Sequence, residues 1–125
     1  SPFLITDAVQ RLLTRTLLRG DLAEALPIAR QLAELSPLHV PHYGDVLRLT
    51  GQREDAARVY EGYSKLVKSD WVTRIKLGKL YGEMGNREAA RGVFAAILDL
   101  DPTNKAALMF LQDLSSGEPL MQDAS

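Results

Sequence analysis

The chain repeats itself at an interval of thirty-four residues, and a period in that range restricts the fold more than any single motif could. Residues 51–60 read GQREDAARVY and residues 85–94 read GNREAARGVF. Gly, Arg, Glu, Ala and Val recur in register, and Tyr60 answers to Phe94. Upstream of each segment, Gly44 and Gly78 keep the same separation. A further copy opens at Gly20 with GDLAEALPIA, which sets Ala25 opposite Ala56. It lies thirty-one residues before the next one, so about one helical turn is missing between them.

Each copy carries the same helical pattern. Ala90, Val93, Phe94, Ile97 and Leu98 fall on one stripe, as do Ala25, Ile28, Ala29, Leu32 and Ala33. Before each repeat glycine lies a second helical stretch, with Leu77, Leu80, Tyr81 and Met84 as its buried face in the last copy. Gly20, Gly51 and Gly85 sit where a helix ends and a left-handed residue is needed, a conformation glycine takes cheaply. Asp21 and Asn86 are good N-caps, and Asp21 with Glu24 makes a capping box. Two amphipathic helices joined by a tight turn form a hairpin, and stacked hairpins bury one another's apolar stripes.

The pattern predicts seven helices, at 3–19, 21–36, 41–50, 52–68, 70–84, 86–100 and 104–114. Pro102 ends the sixth, because its ring disfavours helix at Asp101 and removes a donor. Pro27 lies inside the second, which predicts a kink or a shifted start. Pro41 suits the first turn of the short third helix. The polar segment 115–125, SSGEPLMQDAS, reads as a mobile tail.

With 46% hydrophobic and 25% charged residues, the 125-residue chain has the balance of a folded domain rather than a disordered tail. Its net charge of −1 provides no basic field for nucleic acid. No apolar run reaches the roughly 18–20 residues needed to cross a bilayer. Nothing near Ser1 reads as a signal peptide, yet a chain opening on Ser1 in place of methionine reads as a trimmed one. A cytoplasmic location is favoured, with a periplasmic or envelope-associated one open if a leader or anchor has been removed. The lack of cysteine excludes disulfides, thiolate nucleophiles and thiol-based metal sites.

The residues that carry the period resemble the tetratricopeptide repeat. The family's pattern, W-x2-L-G-x2-Y followed by A-x3-F and then A and P, is matched best by residues 71–104. Leu77, Gly78 and Tyr81 stand at the first-helix positions, and Ala90, Phe94 and Pro102 at those of the second helix. Arg74 holds the tryptophan position, with Trp71 one turn earlier, and Ile97 replaces a small residue. The preceding copy keeps Gly44, Ala56 and Tyr60 but has Lys68 where proline is usual; the first keeps Ala25 and Pro37. The resemblance implies an all-α fold, a right-handed α-solenoid of stacked antiparallel helix pairs. Its units are about 3–36, 37–70 and 71–104, with a cap at 104–114, together one domain over 1–114. Gly78 and Ala90 would let paired helices approach closely, with Tyr81 and Phe94 filling the space around the contact.

Catalytic chemistry finds little support. Gly78, Gly82 and Gly85 follow no strand, and Gly78-Lys79-Leu80 lacks the spacing and hydroxyl of a phosphate loop. His39 and His42 are three apart without an evident third ligand, so no metal or other cofactor is expected. The serines lack a nucleophile motif, and Glu54, Asp55 and Glu88 recur with the repeat as helix-start carboxylates.

The expected role is therefore that of a scaffold or adaptor, without enzymatic activity, that binds a protein or peptide. The resemblance places its groove on the first helices of successive pairs: Gln10, Thr14, Leu17, Arg48, Val72, Ile75, Lys79, Glu83, Ala106 and Met109. Some family members grip acidic chaperone tails with a lysine and asparagine clamp. Ile75 and Lys79 occupy those positions here, and the incomplete clamp argues against that partner. Val72, Ile75 and Met109 suit a peptide with apolar anchors instead. The same side chains would equally serve packing against neighbouring helices or a second copy. Lys65, Lys68, Arg74, Lys76 and Lys79 form a basic middle, while Asp99, Asp101, Asp113, Glu118 and Asp123 are acidic. That segregation suggests two alternatives, a homo-oligomeric assembly module and a helical-repeat RNA binder, the second disfavoured by the near-neutral charge.

Overall fold

Side-chain caps and left-handed glycines cut the chain into helices. A computed structural model describes residues 2–117. Among these residues there are seven α-helices and no strand: α1 (Pro2–Leu18), α2 (Leu22–Leu35), α3 (Val40–Leu49), α4 (Arg53–Leu66), α5 (Trp71–Glu83), α6 (Arg87–Leu100) and α7 (Lys105–Ser116). A single turn of 3-10 helix, Pro37–His39, leads into α3.

The carboxylates of Asp21 and Asp70 and the amide oxygens of Asn86 and Asn104 each accept a backbone N–H three residues on, at Glu24, Thr73, Ala89 and Ala107. Each thereby satisfies one donor of the first turn. At the other ends, Gly20, Gly51 and Gly85 adopt φ of +76°, +85° and +79°, as expected from their places in the repeat. All three close a Schellman motif. Asp21, Gln52 and Asn86 donate back to the carbonyls of Thr16, Leu47 and Tyr81, and the glycines donate to Leu17, Arg48 and Gly82. One short segment thus stops a helix, turns the chain and caps the next helix.

Three details depart from the expected pattern. The capping box is only half formed: Glu24 donates its N–H to Asp21, while its carboxylate turns to Arg19 at 3.4 Å. The Asp21 N–H is already used by the Schellman bond to Thr16. Helix α2 begins at Leu22 and runs through Pro27 with no shifted start. Pro27 and Ala23 are both exposed, so water can serve the carbonyl that the ring leaves without a donor. Ser115 and Ser116 belong to α7, which Gly117 caps at φ +80°; the rest of the expected mobile tail, residues 118–125, lies outside the described residues. Trp71 is the first residue of α5 and packs on a core cluster, with the Arg74 guanidinium 5.9 Å from its ring centre.

The chain forms two compact units, Ser1–Tyr63 and Ser64–Ser125. In the first, consecutive helices α1, α2 and α3 pack on one another around Leu13, Ala25, Ala29, Leu32 and Val46. Ala25 and Ala29 are fully buried, and their small side chains let the neighbouring helices close up. Thr16, also buried, spends its hydroxyl on the Leu12 carbonyl at 2.7 Å. In the second unit, α5, α6 and α7 enclose Ala90, Phe94, Ile97, Ala107 and Leu114. Phe94 stacks on Phe110 with ring centres 5.2 Å apart. Arg87 on α6 donates to the carbonyl of Leu114 near the end of α7, a position where the helix dipole also favours a cation.

The repeat glycines show why they are glycines. A β-carbon on Gly44 would lie 2.6 Å from Tyr60 Cε1, and one on Gly78 would lie 2.5 Å from Phe94 Cζ. The thirty-four-residue period therefore records one steric device used twice, an aromatic ring of the second helix laid on the bare backbone of the first.

Candidate partner-binding surfaces

In the first unit, a cleft of about 340 Å³ opens along α1 and α3. Its walls include Gln10, Leu13, Thr14 and Leu17 from α1 and His42, Asp45, Val46, Arg48 and Leu49 from α3. Gln10, Thr14 and Leu17 share a face of α1 by their three- and four-residue spacing. Leu17 and Val46 belong to the apolar packing beneath, so the floor is apolar while the rim carries Gln10, Thr14, Asp45 and Arg48. A neighbouring hollow along α1, lined by Asp7, Gln10, Arg11, Thr14 and Arg15, carries the rim further along the helix.

The rim is anchored from the core. Tyr60 is fully buried, and its hydroxyl donates to the Asp45 carboxylate. The Arg48 guanidinium also acts electrostatically on the same hydroxyl. Burial, first, and then the adjacent Asp45 carboxylate push the Tyr60 phenol well above its ordinary pKa. A buried phenol must find a partner, and here that partner is the Asp45 carboxylate on the cleft wall. Phe94, its counterpart one period later, carries no hydroxyl, and the position equivalent to Asp45 is Lys79. The Lys79 ammonium lies 5.6 Å from the centre of the Phe110 ring instead.

No protein-family model matches this chain, and no curated protein does.

The four expected groove residues of the first unit, Gln10, Thr14, Leu17 and Arg48, all come together in the one cleft. In the second unit the expected residues differ in burial, although Val72, Ile75, Lys79 and Glu83 share a face of α5 by their spacing. Val72 and Met109 are 66% and 52% exposed, and Glu83 is exposed at the end of α5. Ile75 turns toward the core beside Phe94, and Ala106 is half-buried. His42, Asp45 and Leu49 were absent from the expected set. The period could have found two of them, since Asp45 and Leu49 lie one repeat before Lys79 and Glu83.

The basic middle does not present five equivalent cations. Arg74 lies over Trp71 and Lys79 over Phe110, while Lys65 and Lys68 are exposed. The rings of His39 and His42 meet edge to face at 5.2 Å, and among the described residues no group of three candidate ligands gathers for a metal. No helix of the described residues is long and apolar enough to cross a membrane.

Proposed function

We propose that this chain is a helical-repeat binding module of the tetratricopeptide type, a right-handed solenoid without catalytic activity, and that the α1–α3 cleft receives an extended peptide. The observation that carries this reading is the convergence of Gln10, Thr14, Leu17 and Arg48 on one cleft with an apolar floor and a polar rim. Clefts of that make-up bind by seating apolar side chains below while rim groups fix orientation and register. The rim and its continuation along α1 carry Arg11, Arg15 and Arg48 against Asp7 and Asp45, which favours a peptide with acidic residues beside its apolar anchors. The twice-used glycine–aromatic contact supports the repeat assignment, because it gives the family's glycine and aromatic positions a shared steric role.

A display library of random peptides tests the proposal. Thr14 and Leu49 are both exposed, so Thr14→Glu and Leu49→Glu alter the cleft without entering the core and set a like charge against acidic residues of the peptide. Selected peptides should carry apolar and acidic residues and bind each variant at least about tenfold more weakly, the loss of one apolar or polar contact. Peptides that bind wild type and both variants alike would remove the cleft as the site.

A further inference from the structure

Helix α1 has a second face that the cleft does not use. Leu4, Ile5, Ala8 and Leu12 fall on one side of it by their spacing, roughly opposite Gln10 and Thr14. All four are exposed, with Leu4 at 69%, Ile5 at 52% and Leu12 at 39%. The repeat shows what this face is for elsewhere in the chain. Aligned through Gly20 and Gly51, Leu12 corresponds to Tyr43, which packs on the α1–α2 core. Aligned through Gly20 and Gly85, Ala8 and Leu12 correspond to Thr73 and Leu77, both buried. On α1 this position in the repeat stands uncovered, as does Met109 of α7 when aligned through Gly117.

We infer that this face is an interface between two copies of the chain, with α1 packed antiparallel on its counterpart across a twofold axis. Charge placement selects the antiparallel arrangement. Asp7 and Arg11 lie on the same edge of the apolar stripe, and about a twofold axis normal to both helices like edges meet. Asp7 of each copy then lies within reach of Arg11 of the other, so two ion pairs flank the contact. Ala8 at the centre lets the backbones approach, and Leu4 of each copy covers Leu12 of the other. Parallel packing would set like residues side by side and forfeit both pairs. A head-to-tail stack on α7 is the poorer alternative, because the exposed side of that helix mixes Leu108 with Lys105, Gln112 and Ser115. Asp7 and Arg11 also line the hollow beside the peptide cleft, so the two sites share that edge of α1, while Leu4, Ile5, Ala8 and Leu12 line neither the hollow nor the cleft.

Sedimentation equilibrium of the full chain, from micromolar to millimolar concentration, tests the proposal. The mass should level off at twice that of the chain. Leu12→Glu should weaken association at least about 100-fold, since symmetry removes two buried leucines at once. Asp7→Arg and Arg11→Asp should each weaken it alone, and the two combined should restore it, while Leu49→Glu should dimerise like wild type. Helical circular dichroism on each variant separates lost association from lost fold. A monomer at millimolar concentration, a mass that keeps growing past the dimer, or a double reversal that fails to restore association would each overturn the inference.

Discussion

Gly78 and Phe94 fit together so closely that one methyl group would not fit between them: a β-carbon on Gly78 would lie within 2.9 Å of three ring atoms of Phe94. Phe94 is fully buried and stacked on Phe110, so the ring has little room to withdraw. Gly78 costs its helix about 1 kcal/mol of propensity relative to alanine, yet alanine would force an overlap worth about 1–3 kcal/mol. Gly78→Ala should therefore destabilise the protein by up to about 2 kcal/mol in urea unfolding, and Phe94→Leu in the same chain should recover part of that loss.

Gly62 and Gly92 provide the opposite sign. Both lie inside helices, α4 and α6, and a β-carbon on either would meet nothing within 4 Å. Gly62→Ala and Gly92→Ala should each stabilise the protein by about 0.5–1 kcal/mol, measured in the same urea titration.

Gly51 isolates the backbone contribution. A β-carbon there also meets nothing within 4 Å, but φ is +85°. Gly51→Ala should cost about 1 kcal/mol from the left-handed conformation alone, in contrast to Gly62→Ala with equal free space.

Tyr60 and Asp45 should be visible in a pH titration. The folded protein holds the phenol proton above the ordinary value of 10.0, whereas the unfolded chain releases it near that value. Raised pKa in the folded state means that the stabilisation is complete below pH 10.0 and declines as pH rises from there toward the folded-state value. Wild type should lose stability between about pH 10 and 11 more steeply than Tyr60→Phe. In ultraviolet difference titration, one of the four tyrosines should ionise only when the protein unfolds. At neutral pH, Tyr60→Phe should cost about 1 kcal/mol or more, because the Asp45 carboxylate loses this hydroxyl donor.

Among the N-caps, Asp70 should matter more than Asn104. Its carboxylate accepts both the backbone N–H and the hydroxyl of buried Thr73, at 3.0 and 2.9 Å. Asn104 is a neutral cap that accepts the Ala107 N–H at 3.0 Å, and its amide makes only a longer bond of 3.3 Å to the Asp101 carboxylate. Asp70→Ala should lower stability by about 2 kcal/mol and Asn104→Ala by about 1 kcal/mol in urea unfolding.

The local signals were legible because each is fixed by a few neighbouring residues. Gly20, Gly51 and Gly85 marked their helix ends through the scarcity of other residues tolerant of positive φ, and Asp21 and Asn86 marked the starts. Gly117 carried the same signal but lay in a polar stretch that read as tail, since two serines and a glycine have no apolar stripe to mark helix. The capping box at Asp21 misread a competition: Glu24 had an alternative partner in Arg19, and the Schellman turn had already used the Asp21 N–H. In the candidate site, Gln10, Thr14 and Leu17 were legible as one helix face. The period also pointed to Asp45, but not to its bond with Tyr60, which depends on a hydroxyl fifteen residues away on the next helix.

By itself, the sequence determined the all-α class, the number of helices and most of their limits to within about two residues, and the recurrence of small and aromatic residues where helices cross. Those features follow from backbone preference and periodicity, which act within a few residues. The tertiary structure alone decided that Ile75 turns to the core while Thr14 stays open, that Lys79 rests over Phe110, and that Tyr60 secures the charged wall of the cleft. Each depends on which surfaces meet across space, and burial changes the energetic value of a polar group by more than its identity does.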